Sequence, residues 1–247
     1  MARFLRTLVL AAAAAGAAAL GALAPAASAD TDIQVAGDIQ VASGDTAIAS
    51  GGVEVYPGME IRQAGTACTL GFADPVTRIA YSAGHCRGNG PVTDRNGRFI
   101  GLVTTSRDNT PDGSVVRTNQ VISDYETISL APGVAINPML PGGRQLIADP
   151  AATLAPGRPI CHFGMVTGES CGTVERINNG WFTMDNGVVS QKGDSGGPVY
   201  TLADNGKAVI VGLFNSTWGR LPAAVSWQAT LAQLQADAGV VNVAARS

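Results

Sequence analysis

Gly193-Asp194-Ser195-Gly196-Gly197-Pro198-Val199 stands between a polar turn and an apolar run, and its make-up is that of a loop built around one hydroxyl. Glycines on both sides let another backbone approach Ser195 closely and free the main chain for dihedrals that side chains forbid. The N–H groups of Gly193 and Ser195 can then point at one spot, the arrangement that stabilises an oxyanion. Asp194 is expected to turn inward, to an internal cation or to N–H donors; alone it would read as a turn aspartate. A serine hydroxyl is a poor nucleophile until a base takes its proton, so the motif directs attention to the histidines. The chain has two.

His85 follows Ser82-Ala83-Gly84 and precedes Cys86, at the end of an apolar run, where small neighbours leave room for the ring. A lone histidine is more often structural than catalytic, but this one is framed and shares the chain with the Ser195 loop. Four cysteines, with no Cys-x-x-Cys spacing and no histidine cluster, argue for disulfides and against a metal site. Of the three possible connectivities, Cys68 with Cys86 and Cys161 with Cys171 join sequence neighbours. Each closes a short loop and contributes about 3 kcal/mol when unstrained.

From Gly58 onward, short apolar or alternating runs are separated by turn residues: CTLGFA, RIAYSAG, RFIGLVTTS, SVVRT, RPICHFG, GWFTMD and AVIVGLFN are among them. These read as strands, and Asn96-Gly97, Asn178-Asn179-Gly180 and Asp185-Asn186-Gly187 carry hairpin chemistry. Short strands without intervening helices imply a sandwich or barrels. One helix is expected over about 226–238, where Trp227, Leu231, Leu234 and Ala238 recur at helical spacing and Gly239 follows. The Pro/Gly-rich stretch 131–157 divides the domain into halves of about 58–135 and 155–225.

Residues 1–29 read as an export signal: Arg3 and Arg6, an Ala/Leu run, then Ala27-Ser28-Ala29. Residues 30–57 repeat DIQVA at 32–36 and 38–42, have little to bury, and read as a flexible spacer or short pro-segment ahead of a domain over 58–247. Without Arg3 and Arg6 the count is 14 basic against 19 acidic residues, with no basic cluster, which argues against nucleic acid as a partner. No second long apolar stretch exists, so no membrane association is expected after signal cleavage. The rest of the chain is long enough to fold unaided as a secreted monomer. Abundant alanine and only two lysines beside fourteen arginines fit a GC-rich bacterial source.

Ala83-Gly84-His85-Cys86 together with Gly193-Asp194-Ser195-Gly196-Gly197-Pro198 resembles the chymotrypsin-like serine proteases, and especially their secreted bacterial branch of streptogrisin and α-lytic proteases. The spacing of Cys68 to Cys86 and the run Cys161-His162-Phe163-Gly164, Thr167-Gly168, Cys171-Gly172-Thr173 are similar to that branch too. The resemblance covers roughly residues 66–230. It implies an all-β fold: two antiparallel β-barrels with the active site in the cleft between them, plus a C-terminal α-helix. It further implies a secreted serine endopeptidase acting on peptides or proteins, with Ser195 as nucleophile, His85 as base, an oxyanion hole of Gly193 and Ser195, and no cofactor.

A third triad member is then required, an aspartate that orients the imidazole. Asp112 is the first choice, because Asp-Gly-Ser-Val-Val-Arg resembles the bacterial pattern and follows His85 at a suitable distance. Asp124 is the alternative, with Glu126 standing where the pattern wants a small residue; Asp108 has no strand directly after it. The family's specificity pocket maps onto Val189, Ser190, Phe214 and Ser216, with no aspartate to hold Lys or Arg, so small, apolar or mildly polar side chains are expected. Trp218 either caps this pocket or packs behind it. Gln191 stands where many members have a bracing cysteine, and His162 where the bacterial branch has an arginine; His162 is therefore a candidate partner of Asp194, or a histidine exposed on its strand. The Asn215-Ser216-Thr217 glycosylation pattern is discounted in a bacterial-looking chain. Two rivals remain. A catalytically inactive protease-fold binding protein keeps the fold and drops the chemistry. An α/β-hydrolase esterase requires Ser before Asp before His and many helices, and the order here is reversed.

Overall fold

The computed structural model describes residues 52–111 and 116–244; the export signal, most of the segment 30–57 and Asp112 lie outside them. In chain order the first half holds β1 (Glu54–Val55), β2 (Glu60–Gln63), β3 (Thr66–Thr69), β4 (Phe72–Ala73), β5 (Ile79–Ser82), β6 (Val92–Asp94), β7 (Phe99–Asp108), β8 (Asp124–Leu130) and β9 (Ala135–Ile136). The second holds β10 (Leu146–Ile147), β11 (Pro159–Gly164), β12 (Gly168–Ile177), β13 (Trp181–Asp185), β14 (Pro198–Leu202), β15 (Ala208–Trp218), β16 (Leu221–Ser226) and α1 (Trp227–Ala244). The helix continues past Gly239, since an interior glycine costs about 1 kcal/mol without forbidding the conformation.

Strands β3-β2-β6-β7-β8-β5-β4 form one antiparallel sheet curled into a half-barrel around Ile61, Leu70, Ile100 and Ile128. β1 and β9 pair in parallel beside it. In the second half β14-β11-β12-β13-β16 continues to β15, which returns to β14, so six strands close on themselves, and β10 joins β15 in parallel. Closure leaves no free edge among those six. A shared apolar cluster joins the halves: Phe72, Tyr81 and Tyr125 of the first meet Trp181, Tyr200, Ile210 and Leu213 of the second.

The end of β3 serves the other half. Thr69 N–H donates to Ser195 O at 2.8 Å and Thr69 Oγ1 to Gly193 O at 2.9 Å, so this edge grips the serine loop.

One expected strand fails. Val116 to Thr118, the described part of SVVRT, lies outside any strand, and the partner of β7 is Asp124–Leu130 instead. β8 lies between β7 and β5, and every residue of it except Ser129 is buried. Buried on both faces yet carrying Asp124 and Glu126, it shows no alternation of apolar and polar residues to betray it.

Candidate active site

His85 sits in a short 3₁₀ turn, Gly84-His85-Cys86, directly after β5. The turn is pressed against β7: a Cβ on Gly84 would stand 2.0 Å from Arg107 O, so only glycine lets the chain pass. The Cys68–Cys86 disulfide ties the turn to β3, and Cys161–Cys171 staples β11 to β12. Both pairings agree with the sequence reading.

Asp124, wholly buried at the start of β8, reaches the turn twice. Its Oδ1 accepts the His85 backbone N–H at 2.8 Å, and its Oδ2 lies 2.8 Å from His85 Nδ1. Asn215 Nδ2 donates to the same Oδ2 at 2.5 Å and to Thr110 Oγ1 at 2.9 Å. Burial disfavours the imidazolium, but the Asp124 hydrogen bond and charge, with Asp108 and Glu126 beyond, outweigh it and hold the His85 pKa above its ordinary value. The sequence reading put Asp112 first for this contact and Asp124 second; Asp124 makes it, and Asp112 lies outside the described residues. Asp124 stands second in the sequence because Glu126 breaks the expected pattern and no alternation marks its strand.

Ser195 lies in the loop before β14, with Gly193 at φ +106° and Gly196 at φ +83°. The left-handed backbone at these two positions favours glycine. Asp194, fully buried, draws the loop inward with four donors: the N–H groups of Val166 (2.9 Å) and Thr167 (3.2 Å) on Oδ1, and Thr167 Oγ1 (2.8 Å) and Gln191 N–H (2.7 Å) on Oδ2. Gly164 makes room for it, since a Cβ there would be 2.1 Å from Asp194 Oδ1. Neither Gly193 N–H nor Ser195 N–H donates to another described residue. The Ser195 hydroxyl donates to Asn215 O at 3.4 Å, and no hydrogen bond joins it to His85 among the described residues.

His162 is not exposed, and its ring makes no hydrogen bond to the Asp194 carboxylate. Its ring is fully buried, lies tilted against Phe214 at 4.6 Å, and neither nitrogen has a geometric hydrogen-bond partner among the described residues. Burial lowers its pKa to about 4 despite the opposing Asp194 charge, so the ring is neutral. Asp194 has no need of it, being satisfied by N–H and hydroxyl donors.

His85 and Ser195 line one cleft of about 350 Å³ with Ser190, Gln191, Lys192, Phe214, Asn215, Ser216 and Thr217. Ser190 Oγ and Thr217 Oγ1 are 3.1 Å apart on its wall. Val189 does not line it: the side chain is 52 % exposed, while its main chain is held outward by Ser170 Oγ on β12. Trp218 packs behind the cleft, edge to face with Trp181 at 4.6 Å. Sequence reasoning missed Asn215, Gln63 and Glu126 as members of this neighbourhood. Asn215 was legible only as a glycosylation pattern, and its function as a donor follows from the register of β15.

A half-barrel bearing a histidine and a closed barrel bearing a glycine-framed serine define the fold of the chymotrypsin-like serine proteases. Solved structures agree: a glutamic-acid-specific serine protease aligns with a TM-score of 0.52 at 20 % identity, over 74 % of this chain and 98 % of its own. Thermobifida fusca Protease A aligns with a TM-score of 0.50 at 18 % identity, over 74 % and 97 %. No protein-family profile matches the chain. The chain belongs to one family with two proteins of Mycobacterium tuberculosis, Uncharacterized protein MT1863 and Uncharacterized protein Rv1815, each 57 % identical over 192 residues, 78 % of this chain and 87 % of the relative.

Proposed function

We propose that this protein is a secreted serine endopeptidase with Ser195 as nucleophile, His85 as general base and Asp124 as the orienting acid. The observation that carries the reading is the double contact of Asp124 with His85, in a cleft that His85 shares with Ser195. Asp124 fixes the proton on Nδ1 and leaves Nε2 as the base. After a rotation of its hydroxyl away from Asn215 O, Ser195 attacks the scissile carbonyl, His85 takes the proton and then gives it to the leaving amine. Water, activated by His85, hydrolyses the acyl-enzyme. The N–H groups of Gly193 and Ser195 hold the oxyanion, each donor worth about 2.7–4 kcal/mol. The reaction as written needs no cofactor.

With no carboxylate among the described residues that line the cleft, cleavage after Lys or Arg is disfavoured, and the Ser190, Ser216 and Thr217 hydroxyls suit small or polar side chains. Secretion is supported by the two disulfides and by the leader-like residues 1–29. Among the described residues no helix is long and apolar enough to cross a membrane.

A second reading, a protease-fold binding protein without activity, is favoured by the Ser195 hydroxyl bonding to Asn215 O. A serine-directed fluorophosphonate separates the two. The endopeptidase reading expects a stoichiometric adduct on Ser195 of the native protein, absent after denaturation and in His85→Ala. Absence of an adduct on well-folded protein would select the binding protein.

A further inference from the structure

Glu126 is two residues beyond Asp124 on the same face of β8, and strand geometry puts consecutive same-face positions about 7 Å apart. Its side chain is wholly buried, Gln63 Nε2 donates to its Oε1 at 2.5 Å, and its Oε2 has no hydrogen-bond partner among the described residues. Gln63, at the end of β2 and itself 2 % exposed, has a second bond: its Oε1 accepts the N–H of Gly88 at 3.1 Å. The turn that carries His85 is thus tethered on its far side, through Gly88 and Gln63, to Glu126. A buried carboxyl with one neutral donor and one empty oxygen is far costlier as an anion than as an acid.

We propose that Glu126 is a positioning residue: through Gln63 it holds the His85 turn, and by its charge it governs when His85 gives up its proton. The charged and titratable groups facing it are His85 and Arg87 from the turn and Asp124 from its own strand; β2 contributes the neutral Gln63. The strand neighbours in register, Ser82 on β5 and Ser106 on β7, carry no charge, and Asp108 on β7 acts on His85 itself. Burial raises the Glu126 pKa to about 7, the Gln63 hydrogen bond opposing and the Asp124 charge adding to it. Protonated Glu126 withdraws a negative charge that would otherwise favour the imidazolium, so the acid form of Glu126 and the free-base form of His85 favour one another. The two titrate as a pair. Ionisation of Glu126 at higher pH draws a proton toward His85, which broadens the onset of the free base.

The inference rests on the assignment of His85 as base, but its test does not need turnover. In the full chain the only other histidine is His162, whose midpoint of about 4 keeps its signals apart. NMR titration of the His85 ring and of a ¹³C-labelled Glu126 carboxyl should give two mutually distorted curves in the neutral range. In Glu126→Gln, which keeps an acceptor for Gln63, the His85 midpoint should move to lower pH. In Gln63→Leu, exchange of the Gly88 amide should accelerate. A Glu126 carboxyl titrating in the ordinary range of about 4–5 in the unaltered protein, or an unmoved His85 midpoint in folded Glu126→Gln, would overturn the proposal. Fluorophosphonate labelling of Ser195 in the same samples reports separately on the endopeptidase reading.

Discussion

The two halves bury titratable groups of opposite sense. In the first half Glu126 is held above its ordinary pKa of 4.5, at about 7; in the second His162 is held below 6.5, at about 4. A raised carboxyl contributes stability fully below pH 4.5 and loses it as pH rises toward 7, whereas a depressed imidazole contributes fully above pH 6.5 and loses it as pH falls toward 4. The two buried acids of the candidate site also differ. Asp124 is paired with an imidazole whose side chain is 34 % exposed, while Asp194 is satisfied by three N–H groups and a hydroxyl. The Asp194 carboxylate is therefore held by main-chain and hydroxyl donors that carry no charge, whereas the His85 turn is held by an ionisable partner, Asp124.

The sharpest way to break this contrast is at Asp124. Asp124→Asn keeps the size of the side chain but loses the charge that fixes the His85 tautomer, and it should lower kcat by about 10⁴-fold. Asp112→Asn should leave kcat within about twofold, the result expected when Asp124 alone takes the orienting role. Steady-state kinetics on one peptide substrate decides between them. A large loss at Asp112 with little at Asp124 would remove the triad proposed above.

Why Asp112 looked better in the sequence is instructive. The Ser195 loop and the His85 turn were legible because their glycines and small residues are demanded by close approaches within a few ångströms of the main chain, as at Gly84 and Gly196. Local chemistry leaves a local trace. Asp124 takes its place from a register, opposite Asp108 on β7, and from Asn215 arriving 91 residues later on β15. Such a contact leaves no trace in a run of neighbours. The same holds for Glu126, which in the sequence only spoils a pattern, and whose partner Gln63 is 63 residues away. The cysteine pairs were legible because both joined nearest neighbours along the chain.

His162 gives the second, smaller effect. Its neutral ring has no hydrogen bond to lose, so His162→Leu should cost little at pH 7, the imidazole being replaced by an apolar group of similar volume. Acid should separate the proteins. Between pH 6.5 and about 4 the parent loses the contribution of a histidine held neutral by burial. The variant should lack that part of the decline. Urea unfolding from pH 7 to 4 measures it, and parallel curves would show that the ring finds a way to be charged in place.

The smallest effect concerns the strap that crosses from one half to the other. α1 leaves β16 at Trp227, whose ring packs on Phe72 at 5.4 Å and Tyr81 at 4.9 Å, and ten residues on Asp237 accepts Arg107 Nη2 at 2.6 Å and Tyr125 OH at 2.7 Å. Arg107 and Tyr125 lie on β7 and β8, the strands behind the His85 turn. With the Arg107 side chain 45 % exposed, the ion pair is screened, and Arg107→Gln should lower stability by about 0.2–1 kcal/mol, less in high salt. Trp227 is buried within the shared apolar cluster, so the strap should stay docked and unfolding should remain a single transition. Splitting into two transitions in Arg107→Gln would mean that the halves are joined by this one bridge, and that the shared cluster of Phe72, Tyr81, Tyr125 and Trp227 contributes less cohesion than its burial implies.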